Sequence, residues 1–447
     1  MTTRLRQWLR LNRTAVALFV VSCLTKLAFT ILLVADPHLF IYNPDSEGYL
    51  QIAENLNEHG QFSESIAPPL APDNLRTPLY PLFLAAVLWL SGGSLVAVVV
   101  VQILLSSLTV VVVYLFGRIL LSELSGRIAA VLLLLDLSAF VFANGILTET
   151  LFALLFLVAV FALYRYFVSL KWSWLFVAAG VLGLAALCRP IALYFYTPAL
   201  LLFVVRFGWR WRAVRQWLVF SAAFAVVVAP WFVRNYVVFR VWNFTSIHYL
   251  LNAAYLEADQ RGLTVQQAEL VLEDEAEPLM PAQANEAQRA RVYRRFALEK
   301  ILSAPLRYTK VHLAGLVPML IDNNARDISY FLGHGRGLTG ARALFFQRGP
   351  QAGLRALFSG KGGPALLVFF FLLILQLVVY FCAAYGFVLV WRGAGPLPAL
   401  LLAAAAVYLV FLALPAGSVR FRFPAMPYLY LLAGYGLASI YRVTRRK

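Results

Sequence analysis

Tyr42-Asn43-Pro44-Asp45-Ser46-Glu47-Gly48-Tyr49 follows the first of many hydrophobic spans, and the side of the membrane it occupies settles how the rest of the chain is threaded. The surrounding loop carries Asp36, Asp45, Glu47, Glu54, Glu58, Glu64 and Asp73 before its first arginine, Arg76, whereas Arg4, Arg6, Arg10 and Arg13 precede the span. Basic residues are retained on the cytoplasmic side, so the amino terminus is predicted inside and the acidic loop outside. With 62% hydrophobic and 13% charged residues over 447 positions, the chain is too apolar for a soluble globule, whose apolar share is about 45–50%. The prediction is an all-α, polytopic transmembrane helical bundle of about 10–12 spans with amphipathic helices on its outer face. The formal charge of +17 sits mainly in short turns between spans. That is a signature of topology, and it gives no reason to expect a nucleic-acid partner. Cys23, Cys188 and Cys382 fall in or beside apolar segments without disulfide or metal spacing, as packing residues do.

The first span, residues 14–34, lacks a small-residue cleavage site and is expected to remain as a helix. Further spans are predicted at 94–116, 128–146, 150–167, 172–187, 191–205, 217–233, 364–391, 397–414 and 426–440. Residues 79–90 are too few to cross and read as an interfacial or re-entrant helix. With that segment non-spanning, the turns holding Arg118 and Arg127, Arg165 and Lys171, and Arg206 to Arg215 all fall inside. Residues 308–321 are a weak candidate for a span because they contain Lys310 and His312. If they do not cross, the basic tail 441–447 returns to the cytoplasm. Three regions follow: an amino-terminal transmembrane core at 1–240 with its first outer loop at 36–77, a largely extracytoplasmic region at 241–363, and a carboxy-terminal membrane part at 364–447. Lys26 and Asp136 lie at matching depth in two spans that enter from the same side, which predicts that they pair.

After Pro44, residues 46–57 have helical character, with Tyr49, Ile52, Ala53 and Leu56 on one face and Gln51, Glu54, Asn55 and Glu58 on the other. Asp45 stands where an aspartate often caps a helix. Capping alone does not require an acid beside the membrane near several outer-face arginines. Asp45 is therefore read as a candidate base, with both uses open to one residue.

The motif Pro44–Tyr49 is followed by Gly60-Gln61-Phe62-Ser63 and Arg76-Thr77-Pro78-Leu79-Tyr80-Pro81. Thr148-Glu149, Arg189-Pro190, Pro230-Trp231-Phe232-Val233-Arg234-Asn235 and Arg420-Phe421-Arg422-Phe423-Pro424 come later. In order and sidedness this series resembles the GT-C superfamily of membrane glycosyltransferases, most closely the bacterial branch similar to protein O-mannosyltransferases and lipid A aminoarabinose transferases. The resemblance covers about residues 14–240 and the last 40 or so, and leaves 240–363 unmatched. It implies a GT-C-like fold in a bacterial cytoplasmic (inner) membrane, with the active site on the outer face. It further implies transfer of a sugar from a polyprenyl-phosphate carrier to an acceptor, with Asp45 as general base and Glu47 a weaker match. No cofactor is expected. A divalent metal on such carboxylates, used elsewhere in the superfamily, is the less favoured option.

Displacement at an anomeric carbon needs a base for the acceptor hydroxyl and cations for the departing phosphate. Arg76, Arg189, Arg234, Arg420 and Arg422 are candidates for the second role, because a guanidinium fork grips phosphate oxygens; each is also explained as a snorkelling anchor. Arg420 and Arg422 alternate on what reads as an extended stretch, so both are expected to face one way. Tyr49, Glu47 and Glu149 complete the predicted substrate-binding set. Glu149 has a plain alternative as a complement to a helix dipole. His248 has no ligand spacing around it and reads as an unremarkable loop residue. The preferred function is a hexosyl or pentosyl transfer that inverts a β-linked donor in one displacement, and the acceptor is a lipid, glycan or protein. The rivals are a transporter or flippase of lipid-linked sugars, disfavoured by the few ionisable residues within the spans, and a non-catalytic assembly subunit.

Overall fold

The computed structural model describes residues 12–34, 36–245, 250–281, 284, 286–324, 327, 328, 331, 351, 355, 363–413, 415 and 417–445. Among the described residues there are helices and no β-strand. His248 lies outside them. Helix α1 (Arg13–Ile31) leads into the loop that carries α2 (Pro44–His59) and the short α3 (Leu79–Ser91). There follow α4 (Leu95–Leu120), α5 (Glu123–Leu134), α6 (Leu137–Asn144), α7 (Glu149–Ser169), α8 (Trp172–Cys188), α9 (Tyr196–Phe207) and α10 (Trp211–Phe239). Beyond the bundle stand α11 (Leu251–Arg261), α12 (Val265–Ala276), α13 (Glu286–Ser303), α14 (Pro305–Ala314) and α15 (Leu316–Ile321). The chain closes with α16 (Gly363–Gly393), α17 (Pro396–Leu412), the single turn α18 (Val419–Arg422) and α19 (Met426–Thr444).

By length and composition, α1, α4, α7, α10 and the Phe370–Gly393 part of α16 are fit to cross a bilayer. The pair α5 and α6 forms a sixth such unit if its 56° bend is counted as one broken span. Helices α8 and α17, of 17 residues each, are about 25 Å long, slightly under the hydrocarbon thickness. Helix α3, with 13 residues, is short, as expected for a segment that does not cross. Residues 308–321 form no span, because the helix breaks at Gly315 into α14 of 10 residues and α15 of 6.

The helices pack through small residues, as apolar surfaces do when lipid already satisfies the large ones. A Cβ on Gly117 would lie 2.7 Å from the Gly126 Cα, so α4 and α5 touch backbone to backbone. Gly386 of α16 similarly meets the carbonyl of Leu432 in α19. The basic turns gather at one end of the bundle. The Arg206 Nε donates to the Phe167 carbonyl at 2.7 Å, and the Arg442 Nη2 reaches Ser122 Oγ at 2.9 Å. The Phe116 and Phe161 rings meet with centroids 4.9 Å apart, which brings those two turns to the same level. Residues 36–78 occupy the opposite end, where the Thr77 hydroxyl donates to the Cys188 carbonyl at 2.9 Å.

Lys26 and Asp136 do not form the expected ion pair. The Lys26 Nζ donates to Ser22 Oγ at 2.7 Å and lies 5.2 Å from the Phe140 ring centroid. The Asp136 Oδ1 instead caps α6 by accepting from the Ser138 N–H at 2.8 Å. Their helices do run in the same direction, since Phe29 meets Phe140 and Thr30 meets Asn144. The helix is broken at residues 135–136, and Lys26 comes level with Phe140, about one helical turn beyond Asp136.

Candidate active site

Helix α2 begins with Pro44 at its first position, and Asn43 supplies the cap, its side chain accepting from the Asp45 N–H at 3.1 Å. Asp45 is therefore free of capping and sits in the first turn, where the helix dipole favours a carboxylate. Ile52 and Ala53 are buried as predicted. Asn55, expected on the polar face, is buried as well, because its amide donates to the Ser63 and Ser65 carbonyls at 2.8 and 2.9 Å and folds the loop back on the helix.

The Asp45 carboxylate joins two guanidiniums. Arg76 Nη1 donates to Oδ1 at 3.3 Å, and Arg420 Nη1 donates to Oδ2. Arg420 turns its Nε to Glu149 Oε1, and Arg189 Nη1 meets the same oxygen at 2.8 Å. Arg76 spreads its fork further, reaching Glu64 Oε1 at 3.1 Å. Six charged residues from the α2 loop, α7, the end of α8 and α18 thus form one chain of alternating sign, Glu64–Arg76–Asp45–Arg420–Glu149–Arg189. Glu149 is fully buried, whereas 39% of the Asp45 side chain remains exposed, so the network is anchored from within and open at Asp45.

Local packing makes room for this arrangement. A Cβ on Gly48 would overlap Glu64 Oε1 and Arg76 Nη2, so only glycine lets the Arg76 guanidinium lie across α2. That guanidinium lies 4.7 Å from the Tyr49 ring, which abuts Tyr80 edge-on at 5.0 Å, and the Tyr80 hydroxyl is held by Gln102 at 2.8 Å. Arg189 lies between Phe152 and Phe421, at 5.6 and 5.1 Å from their centroids. Burial pushes the Asp45 carboxyl upward. The Arg420 and then the Arg76 guanidinium outweigh this and hold it below the usual carboxylate range. Burial alone would lower the Arg420 guanidinium, but Glu149 and Asp45 raise it instead. Beside Arg76 opens a cleft of about 520 Å³ lined by Glu64, Ser65, Asp73, Asn74 and Phe239 among others.

Of the predicted residues, Asp45, Arg76, Tyr49, Glu149, Arg189 and Arg420 come together. Glu47 is exposed and enters none of the ion pairs of this cluster, because two residues, roughly half a helical turn, point it away from Asp45. Arg234 instead clamps the loop. Its Nη1 donates to the Asp73 carbonyl at 2.6 Å, and Phe62, Trp231 and Phe239 surround it. Arg420 and Arg422 diverge, since Val419–Arg422 is a helical turn started by Ser418 and not an extended strand. Arg422 is buried and donates to the Met319 and Leu320 carbonyls at 2.6 and 3.1 Å. Glu64 was not among the predicted site residues. Its position in the same acidic loop as Arg76 was the available signal.

Residues 75–233 match the dolichyl-phosphate-mannose-protein mannosyltransferase family. Arg76, Glu149 and Arg189 fall within that match, and Asp45 and Arg420 outside it. No curated protein matches the chain. Among solved structures, the oligosaccharyltransferase AglB of Archaeoglobus fulgidus, in complex with an inhibitory peptide and a dolichol-phosphate, is similar at 12% identity and a TM-score of 0.54. That likeness covers 98% of this chain and 52% of the archaeal one. The apo form of the Archaeoglobus fulgidus oligosaccharyltransferase gives 14% identity and a TM-score of 0.50 over 96% and 52% of the two chains. ArnT from Cupriavidus metallidurans, bound to undecaprenyl phosphate, is 14% identical with a TM-score of 0.44, covering 96% of this chain and 78% of its own. The chain spans about half the length of the archaeal proteins it resembles.

Proposed function

We propose that this chain, which has the GT-C fold, is an integral membrane glycosyltransferase that moves a sugar from a polyprenyl-phosphate carrier to an acceptor hydroxyl, with Asp45 as general base. The observation that carries this reading is the Asp45 carboxylate, uncommitted to helix capping and joined to two guanidiniums at one end of the bundle. The family match over 75–233 and the dolichol-phosphate in the archaeal protein of the same fold support a lipid-phosphate donor.

In this mechanism the donor phosphate takes up Arg420 and Arg76, the two cations that the carboxylates occupy at rest. Losing those partners raises the proton affinity of Asp45, as a base requires. The acceptor oxygen attacks the anomeric carbon while its proton passes to Asp45. The bond from the anomeric carbon to the phosphate oxygen breaks, and its electron pair leaves on the polyprenyl phosphate, stabilised by the same guanidiniums. A single displacement inverts the anomeric centre. Glu149 and Arg189 hold Arg420 in place from the buried side. The active site faces the extracytoplasmic side of a bacterial inner membrane.

The purified chain, reconstituted in vesicles with radiolabelled polyprenyl-phosphate sugars and candidate acceptors, should transfer label. Asp45→Asn should lower turnover by about 10²–10⁴ while the protein still binds donor. Near-normal turnover by a folded Asp45→Asn protein would sink the mechanism. Movement of the lipid across the bilayer without transfer would instead indicate a transporter.

A further inference from the structure

Glu64 is the most loosely held acid of the charged chain around Asp45. Asp45 meets two guanidiniums, those of Arg76 and Arg420, and Glu149 meets two, those of Arg189 and Arg420. Among the described residues Glu64 meets one, that of Arg76, and only through Oε1 at 3.1 Å. This is a single contact and not a two-bond fork, since Arg76 Nε is buried without a hydrogen-bond partner. Exposure follows the same order. The Glu149 side chain is fully buried, whereas that of Glu64 is 40% exposed and lines the cleft beside Arg76. Arg76 is the fixed partner. Its side chain is 11% exposed, its guanidinium lies against the Tyr49 ring, and its backbone N–H is held by the Asp73 carboxylate at 3.2 Å.

Charge balance gives this looseness a use. The carboxylates of Glu64, Asp45 and Glu149 cancel the guanidiniums of Arg76, Arg420 and Arg189 at rest. A donor phosphodiester brings one more negative charge, and an unmatched charge in a partly buried site is costly. One carboxylate must therefore leave. Asp45 is needed as the base and Glu149 is enclosed, so Glu64 is displaced at the least cost. We infer that the donor phosphate displaces Glu64 from Arg76, that the freed carboxylate turns into the open cleft, and that it reclaims Arg76 as the polyprenyl phosphate leaves, an inference that rests on the glycosyltransferase reading. Transfer turns the phosphodiester into a phosphomonoester with about half to one more negative charge near neutral pH, which grips the guanidiniums harder. The return of Glu64 offsets that grip and favours release. Glu64 is thus a positioning residue that competes with the substrate for Arg76.

The test titrates farnesyl phosphate, a short polyprenyl monophosphate, into the full chain in detergent by calorimetry, with farnesol as the uncharged control. The unmutated chain should prefer the phosphate; equal binding of the two would remove the lipid-phosphate donor, and the glycosyltransferase reading would fall together with this inference. Given that preference, Glu64→Gln and Glu64→Ala should each bind farnesyl phosphate about 2- to 5-fold tighter, the worth of one part-exposed ion pair, with little change in thermal midpoint. Loss of a merely structural contact would weaken binding instead. Glu54→Gln, which removes an equal charge from an exposed position on α2, should leave the affinity unchanged. Unchanged or weaker binding by both Glu64 variants would overturn the inference while leaving the donor site standing. So would an equal tightening by Glu54→Gln, which would make the effect one of bulk charge.

Discussion

Asp45 shows how far a single residue is legible. A cap and a base are equally natural uses for an aspartate before a helix, and the sequence offers both; Asn43 and Pro44 decide between them, because the first fills the cap and the second the first helical position. The neighbouring choice at Arg420 and Arg422 was read the wrong way, since alternation in an extended strand and divergence on a helical turn use the same residues. Ser418, whose hydroxyl accepts from the Arg420 N–H, was the local signal for the turn. The consequence is a test that separates the two arginines. Arg420→Ala removes a charge-assisted contact to phosphate worth about 1.5–3 kcal/mol, so the donor KM should rise by about 10- to 100-fold, with Arg420→Lys recovering only part because it lacks the planar fork. The same change removes the guanidinium that does most to hold the Asp45 carboxyl down. A base must be ionised to act, so the acid limb of kcat/KM, which reports the free enzyme, should move to higher pH in Arg420→Ala. An unchanged donor KM and an unshifted limb would make Arg420 a structural residue.

Elements position these side chains, and their contribution was only partly visible. The helix after Pro44 and the short segment at 79–90 follow from periodicity and length. The return of residues 62–76 across α2 does not, because it depends on the buried Asn55 amide and on space above Gly48, neither of which has a periodic signature. Gly48→Val should therefore push the Arg76 guanidinium off Asp45 and Glu64 while sparing the helix, since the atoms it meets are the far ends of flexible side chains. The donor KM should rise by about tenfold or more, comparable to loss of one charge-assisted hydrogen bond, with the thermal midpoint in detergent almost unchanged; a large drop in the midpoint at normal KM would refute it. Arg422→Met should do the opposite. It deprives the buried Met319 carbonyl of its guanidinium donor and costs about 1–3 kcal/mol, so the melting midpoint should fall. Its donor KM should move less than that of Arg420→Ala.

At the scale of the whole molecule, the threading was legible because it rests on many turns at once. Arg118, Arg165, Arg206 and Arg442 do gather at one end, and the acidic loop lies at the other. What failed was an inference that assumed an unbroken helix. The kink at Asp136 displaced the expected partner of Lys26, whereas the break at Gly315 agrees with the weak reading of residues 308–321 as a span. The break at Gly315 is marked by Pro318, which has no N–H for the Ala314 carbonyl four residues back, whereas the break at Asp136 is marked only by the residue that caps the following helix. The threading predicts which end faces out, and this is open to direct measurement. Glu58, at the end of α2, and Arg210, in the basic turn before α10, are both exposed, and the native cysteines are buried. In intact cells a membrane-impermeant maleimide should modify Glu58→Cys and leave Arg210→Cys unreacted until the membrane is opened, since retention of basic turns inside places the Asp45 cluster outside. The reverse pattern would put the cluster in the cytoplasm and remove the extracytoplasmic acceptor from the mechanism. Modification of both sites from outside would mean that the two ends of the bundle do not lie on opposite faces of the membrane, and the threading itself would fall.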